Sequence, residues 1–164
     1  MKAELHPPPP SAGRTHFHMF DPPYIQYFGG HIMEFHEINV VDESVFKYAT
    51  IVSRYRGKWV FCKNRTRKWE LPGGHREDDE TIVDTAKREL KEETGAVKFE
   101  LLPICAFSID NSYGILFYAE IEELGELPPS EIEKIEFFSD LPDELTFPLY
   151  HPKHFEKVKE VLSL

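Results

Sequence analysis

The sequence predicts an α/β fold in which a mixed β-sheet packs against helices. Three observations support this prediction. Runs rich in β-branched and aromatic residues recur along the chain, one segment has the apolar period of a helix, and strand segments stand on both sides of that helix. At 164 residues the chain has the length of one domain and can bury a full core.

The N-terminal residues differ in composition from the rest of the chain. Residues 1–32 contain the proline run from Pro7 to Pro10 and four scattered histidines, without a period of 2 or 3.6. We therefore expect extended or irregular structure there and a folded domain at residues 33–164. The extension is either non-native sequence, with Met33 as the native start, or an arm whose aromatic residues dock on a partner subunit.

The first predicted strands form a hairpin. Residues 45–55 and 58–63 are rich in β-branched and aromatic residues, and Arg56 and Gly57 between them suit a tight turn. A further short strand is predicted at residues 69–71, directly before a proline and two glycines.

One helix is predicted at residues 80–94. Ile82, Ala86 and Leu90 recur every four residues and would form its buried stripe, and Gly95 is a good C-terminal stop. Acidic residues at its start suit the positive end of the helix dipole.

The rest of the chain returns to strands before a final helix. We predict strands at residues 97–110 and 115–121 around a turn at 111–114, and a strand at 132–138. Residues 152–164 alternate charged and apolar residues at helical spacing and should form a C-terminal helix.

Three glutamates near the end of the predicted central helix carry the functional signal. Glu89, Glu92 and Glu93 are three and four residues apart, so their side chains should approach one another on the helix surface. Like charges at the negative end of a helix disfavour folding, and a hard divalent cation such as Mg²⁺ or Mn²⁺ would offset them. For an isolated group of glutamates, a solvated helix face would be the simpler interpretation.

The residues around these glutamates have a fixed spacing. In order they are Gly74, five residues, Glu80, seven residues, Arg88, Glu89, Leu90, one residue, Glu92, Glu93, one residue and Gly95. This pattern resembles the Nudix box, G-x5-E-x7-R-E-U-x-E-E-x-G-U, in which U is a bulky aliphatic residue. The one departure is Ala96 at the last position, where we expect a packing contact to be weaker and the chemistry to be unchanged.

The resemblance to the Nudix family implies an α/β/α sandwich and a set of site residues. Glu89, Glu92 and Glu93 would be metal ligands, joined by the backbone carbonyl of Gly73. Arg88 would orient a ligand carboxylate by a salt bridge; the alternative is a surface partner of nearby acids.

Other positions have supporting roles in the resembling family. Glu80 would be an auxiliary metal contact, and Gly74 and Gly95 would be structural. The catalytic base is either one of the box glutamates Glu92 and Glu93 or a glutamate on a distant loop. Glu126 and Glu131 are the loop candidates, and Glu131, directly before a predicted strand, is preferred.

The resemblance also implies an activity. We expect a Mg²⁺- or Mn²⁺-dependent enzyme that hydrolyses a nucleoside triphosphate, including the oxidised nucleotide 8-oxo-dGTP, to the monophosphate and pyrophosphate. The segments around residues 54–64 and 68–75 look most similar to bacterial nucleoside triphosphate diphosphatases. The alternatives are a Nudix hydrolase for another nucleoside diphosphate derivative or for RNA 5′ ends, and a binding module without turnover.

Charge and composition limit the partners. A net charge of −10 argues against a nucleic-acid groove or an anionic-membrane surface, although a basic run at residues 54–68 could face phosphates. No apolar run reaches transmembrane length, and Cys62 and Cys105 lie in apolar strand-like runs typical of free buried thiols. We therefore expect a cytoplasmic protein with a small-molecule nucleotide substrate, as a monomer or homodimer.

Overall fold

The computed structural model describes residues 25–28 and 30–164. In chain order its elements are β1 (Ile25–Phe28), β2 (His31–His36), two 3₁₀ helices (Ile38–Val40 and Glu43–Val45), β3 (Phe46–Tyr55), β4 (Lys58–Asn64), β5 (Trp69–Glu70), β6 (Gly73–His75), α1 (Ile82–Thr94), β7 (Ala96–Ile109), β8 (Ser112–Leu124), β9 (Ile132–Phe138) and α2 (His151–Leu162).

The strands of the described residues form a single mixed sheet. Its main path runs β1-β2-β7-β8-β3-β4-β5, with β6 also paired to β3 and β9 to β4. β3 and β8 run parallel at the centre, and the other neighbouring pairs are antiparallel. The predicted mixed sheet packed against helices is confirmed.

The two helices cover opposite faces of this sheet. Because side chains alternate between faces along a strand, Ile51 of β3 joins the core beneath α1 and Val52 joins the core beneath α2. Leu90 of α1 and Phe155 of α2 are fully buried in those two cores. The result is the predicted α/β/α sandwich.

Two-residue turns connect the long hairpins. Arg56 and Gly57 both have positive φ, at 49° and 78°, which confirms the predicted turn between β3 and β4. The turn between β7 and β8 is shorter than predicted, because Asp110 and Asn111 alone adopt the left-handed conformation, at φ 49° and 65°. β8 therefore begins at Ser112, within the segment predicted as turn.

The N-terminal strands are part of the sheet. β1 pairs with β2, and β2 pairs with β7 through Met33 opposite Ile109 and Phe35 opposite Phe107. The boundary expected between residues 32 and 33 thus falls inside β2, and residues 25–28 form a strand. Residues 1–24 and 29 lie outside the described residues, so the nature of the N-terminal extension stays a prediction.

Helix α1 begins slightly later than predicted, because Thr81 is its N-cap. The Thr81 hydroxyl accepts a hydrogen bond from the Asp84 backbone N–H (3.1 Å), and the Asp84 carboxylate accepts one from the Thr81 N–H (3.2 Å). The first helical residue is Ile82, so Glu80 precedes the helix. Gly95, at φ 75°, ends the helix as predicted.

Other local predictions are confirmed by burial. Both cysteines are free and buried, with Cys62 0 % and Cys105 7 % exposed. Ala96 is 3 % exposed and packs in the core beneath α1, as its position after Gly95 predicted. Within the described residues, no helix is long and apolar enough to cross a membrane.

Two buried histidines in α2 are an unexpected feature. His154 is 2 % exposed, packs against Phe107 and Phe35, and has no hydrogen-bond partner for either ring nitrogen among the described residues. His151 accepts a hydrogen bond from the Leu71 backbone N–H at 3.2 Å. Burial lowers the pKa of His151 to about 3 and holds the pKa of His154 well below its usual range.

These histidines should make the protein sensitive to acid. In the unfolded chain each takes a proton near pH 6.5, whereas the folded protein keeps both neutral to lower pH. These histidines therefore cost no free energy of unfolding above about pH 7. Their effect lowers the free energy of unfolding as the pH drops from about 6.5 toward 3. We expect His154→Phe to relieve about 2 kcal/mol of this loss at pH 5, measured by urea unfolding across the pH range.

The matched control is Val161→Phe, which introduces the same ring at an exposed position of α2 and removes no titratable group. It should leave the pH dependence of stability unchanged. Equal acid sensitivity in the wild type and His154→Phe would show that His154 takes up no extra proton on unfolding.

Candidate active site

The candidate site lies where α1 packs against the turn that contains β6. Glu93 is largely buried beneath Gly73, Glu89 has a side chain 12 % exposed beside Gly74, and Glu92 is 51 % exposed. The structure thus brings Glu89 and Glu93 to the turn and leaves Glu92 closer to solvent.

The register of β6 against β3 explains why its backbone faces α1. The backbone N–H groups of Ile51 and Arg76 donate to the carbonyls of Pro72 and Lys47, both at 2.8 Å, so these pairs are hydrogen-bonded. Pairs alternate in an antiparallel ladder, which makes Gly73 opposite Thr50 a non-hydrogen-bonded pair. The polar backbone groups of Gly73 therefore turn away from β3.

At these positions, where β6 makes no hydrogen bond to β3, the backbone N–H and C=O groups bond to side chains of α1. The Gly73 N–H donates to Glu93 Oε2 at 2.8 Å, and the His75 carbonyl, two residues on, accepts from Arg88 Nη2 at 3.0 Å. Since N–H and C=O of one strand residue point the same way, the Gly73 carbonyl also faces this side. Its role as a cation ligand stays a prediction.

Arg88 is the centre of the charge network. Its guanidinium donates to both carboxylate oxygens of Glu80, at 2.5 and 3.0 Å, and to Glu89 Oε1 at 2.7 Å, with Glu92 at 3.4 Å. The bidentate contact with Arg88 lowers the pKa of Glu80 to about 2. The predicted salt bridge to a ligand carboxylate is present; its role in orienting that carboxylate stays a prediction.

The positive charge of Arg88 does not fully offset the effect of burial on the pKa values of Glu89 and Glu93. Burial raises the pKa of Glu93 to about 8, with the negative charges of Glu89 and Glu70 adding to the shift. Burial also raises the pKa of Glu89, although Arg88 opposes it. Without a cation, burial and the neighbouring carboxylates therefore disfavour the ionised form of Glu93.

These donors fit a hard divalent cation by type. Mg²⁺ and Mn²⁺ prefer carboxylate and carbonyl oxygens as ligands. The site offers the carboxylates of Glu89, Glu92 and Glu93 and the carbonyl of Gly73. Across residues 25–28 and 30–164, no three acidic, histidine or cysteine side chains already surround one point. Glu92 lies 3.4 Å from Arg88, so its side chain would have to rotate away from that contact to join the other carboxylates at a cation.

The glycines make room for this arrangement. A Cβ atom on Gly74 would lie 2.1 Å from Glu89 Oε1, and one on Gly73 would lie 2.3 Å from the Ala49 carbonyl oxygen. Gly95 needs its left-handed conformation to end α1. Glycine is thus required at each position for a stated physical reason.

The loop candidates for the catalytic base lie apart from the glutamate cluster. Glu131 is exposed, its backbone carbonyl accepts from the Arg65 N–H at 3.3 Å, and its charge acts on Glu70. Glu126 is exposed beside Gly95, at the C-terminal end of α1. Neither side chain contacts the α1 glutamates in the described part of the chain, and both roles stay predictions.

Two residues of this region were not predicted. The Cys62 thiol lies 3.8 Å from Glu93 Oε2, and burial raises its pKa well above the usual range. Glu70, opposite Cys62 in the β4–β5 ladder, is 8 % exposed and lies 3.2 Å from Arg67 Nε. Strand alternation could have placed Cys62 on the face of α1, but its contact with Glu93 depends on packing.

Five aromatic residues of the strands have side chains of the kind that could stack on a nucleotide base, and their burial divides them into two groups. Trp59, Phe107 and Phe117 are 7, 0 and 0 % exposed and belong to the core. Trp69 and Tyr113 alone among the five are partly exposed.

The fold and this arrangement define an α/β/α-sandwich protein whose candidate site is made by one helix and the glycine turn before it. A comparison with protein families identifies the family: the chain belongs to the NUDIX family, whose domain model matches residues 47–160. The predicted family is confirmed, and with it a pyrophosphohydrolase is indicated.

Individual relatives agree with this family. The chain is 30% identical over 105 residues to YtkD of Bacillus subtilis (strain 168), which is named for 8-oxo-dGTP diphosphatase activity. That match covers 61% of this chain and 66% of YtkD, slightly under two thirds of its length.

Solved structures show the same fold. The pyrophosphohydrolase BsRppH of Bacillus subtilis superposes with a TM-score of 0.73 at 23% identity, covering 84% of this chain and 96% of BsRppH. An ADP-ribose pyrophosphatase of Streptococcus suis 89-1591 gives a TM-score of 0.57 at 19% identity, covering 71% and 91%. At these identities the likeness concerns the fold alone.

Proposed function

We propose that the protein is a Mg²⁺- or Mn²⁺-dependent pyrophosphohydrolase that splits a nucleoside triphosphate, such as 8-oxo-dGTP, into the monophosphate and pyrophosphate. The observation that carries the proposal is the position of Glu89 and Glu93 against the Gly73–Gly74 turn. A substrate with several negative charges needs a cation at such an acidic site.

The residues have distinct roles in this proposal. Glu89, Glu92, Glu93 and the Gly73 carbonyl would hold the divalent cation, which when bound neutralises phosphate charge and lowers the pKa of water. Arg88 holds Glu89 in place through its 2.7 Å contact. Glu80 fixes Arg88 in turn by the bidentate contact and so acts indirectly on the same carboxylate.

The reaction consumes one water. Its oxygen forms a bond to phosphorus while the phosphoanhydride bond breaks, and the leaving pyrophosphate takes the electron pair. A carboxylate removes the proton from the attacking water; Glu92, Glu93 and Glu131 are the proposed candidates for this base. The similarity to YtkD supports a triphosphate substrate.

RNA 5′ ends are the second candidate substrate. The basic run at residues 54–68 is the feature that would favour this alternative, because it could face the phosphates of an RNA. Two members of the basic run are engaged by acids, since Arg67 lies 3.2 Å from Glu70 and Lys68 lies 3.9 Å from Glu144. This neutralisation reduces the positive field that an RNA would require.

A substrate panel tests the proposal. The purified protein is incubated with Mg²⁺ and 8-oxo-dGTP, unmodified triphosphates, ADP-ribose, a nucleotide sugar or 5′-triphosphorylated RNA, and the products are separated by chromatography. Monophosphate and pyrophosphate from free triphosphates would support the proposal. Cleavage confined to ADP-ribose, the nucleotide sugar or RNA would contradict the proposed triphosphate substrate. No turnover of any of them would favour a binding module.

A further inference from the structure

The carboxylate of Glu93 has two polar contacts at the same oxygen. Oε2 accepts from the Gly73 backbone N–H at 2.8 Å and lies 3.8 Å from the Cys62 thiol. We infer that Cys62 is a positioning residue that sets the orientation of the Glu93 carboxylate. The inference rests on the proposed role of Glu93 as a metal ligand.

The position of Cys62 is determined by β4. Val60 and Phe61 alternate between the two faces of the sheet, and Val60 lies in the core beneath α1. Cys62 shares the face of Val60 and is fully buried there. The thiol carries one hydrogen, which it can donate to the Glu93 carboxylate or to a backbone carbonyl nearby.

A second contact limits the freedom of the thiol. The Cys62 sulfur also lies 3.5 Å from the backbone carbonyl of Glu70, its partner in the ladder between β4 and β5. The sulfur therefore sits between one fixed acceptor on β5 and the Glu93 carboxylate on α1. This arrangement couples the position of the Glu93 side chain to the edge of the sheet.

The consequence concerns the other oxygen of Glu93. Both contacts are at Oε2, and Oε1 has no hydrogen-bond partner among the residues that the structure describes. Oε1 is thus the oxygen available for a cation, and Gly73 and Cys62 together fix its direction. Partners that orient a ligand in this way commonly change metal affinity by about 10- to 100-fold when removed.

The test measures cation affinity directly. Mn²⁺ binding to the full chain is followed by the electron paramagnetic resonance signal of free Mn²⁺, for the wild type, Cys62→Ala and Cys105→Ala. Cys105 is the matched control, because it is also a free buried thiol but lies in the core beneath α2. Cys62→Ala should weaken Mn²⁺ binding about tenfold, the lower end of the range for such partners, because the thiol is a weak donor.

A kinetic measurement separates positioning from a general structural defect. Cys62→Ala should raise the Mg²⁺ concentration that gives half-maximal activity, while the KM for nucleotide at saturating Mg²⁺ stays near that of the wild type. Cys105→Ala should change neither quantity. Should Cys62→Ala unfold, Cys62→Ser takes its place, since a hydroxyl on a shorter bond withdraws the donor from Glu93 and gives a smaller loss of Mn²⁺ affinity.

The outcomes distinguish the inference from the proposed function. A wild-type protein that binds no Mn²⁺ and hydrolyses no nucleotide would overturn both. A wild-type protein that binds Mn²⁺ while Cys62→Ala binds it equally well, or Cys105→Ala loses as much affinity, would overturn the inference alone.

Discussion

Glu93→Gln is expected to lower turnover by about a thousandfold, equivalent to about 4 kcal/mol in activation free energy. The amide keeps the shape of the side chain and an oxygen that can accept from the Gly73 N–H, but it removes the negative charge that would bind the cation. Steady-state hydrolysis of the substrate identified by the panel measures this loss.

The same substitution should not weaken the fold. The Glu93 carboxylate is largely buried near Glu89 and Glu70, where charge is unfavourable without a cation. A neutral amide costs less to bury than a carboxylate, so the melting temperature without divalent cations should stay equal or rise. Lower turnover together with an equal or higher melting temperature is the result expected for a carboxylate kept for function.

Glu133→Gln is the matched control for Glu93→Gln. Glu133 is an exposed glutamate in β9, and its loss should affect neither turnover nor stability. If Glu93→Gln kept activity within about tenfold of the wild type, Glu93 would not be an essential metal ligand.

Gly74→Ala should also lower activity more than it lowers stability. Gly74→Ala places a methyl group 2.1 Å from the Glu89 carboxylate oxygen, which lies at the end of a side chain and can move. We expect Glu89 to leave its place near Arg88, with about a hundredfold loss of activity and little loss of stability. Activity assays and thermal unfolding of one preparation measure both effects.

Gly73→Ala should behave differently, because its methyl group would meet backbone. The nearest atom is the Ala49 carbonyl oxygen at 2.3 Å, in the central strand β3, and it cannot rotate away. We expect a loss of about 2–3 kcal/mol in the free energy of unfolding, measured with urea. Similar stability losses in the two variants would contradict this account of the turn.

Much of the candidate site could be predicted because it lies on one helix. Glu89, Glu92 and Glu93 stand three and four residues apart, and helix geometry alone brings such residues together. Gly95 ends that helix for an equally local reason, since its backbone adopts φ 75°. The family was predictable from the same short segment, and the match over residues 47–160 confirms it.

Other features depended on contacts between distant residues. The contact of Cys62 with Glu93 joins residues 31 positions apart. The pairing of Met33 with Ile109 brings β2 into the sheet, across the domain boundary that composition indicated between residues 32 and 33. No local propensity at either partner encodes such a pair. The expected domain boundary followed composition, whereas the strand followed a partner that only the folded sheet supplies.

By itself, the sequence determined the α/β class, the glutamate-bearing helix and the glycine turn, because each depends on backbone preferences within a few residues. The tertiary structure decided which carboxylates are buried, which oxygen of Glu93 is engaged, and that Arg88 contacts both Glu80 and Glu89. The physical reason is that burial and charge compensation depend on which distant surfaces meet, and only the packing of α1 on the sheet determines that.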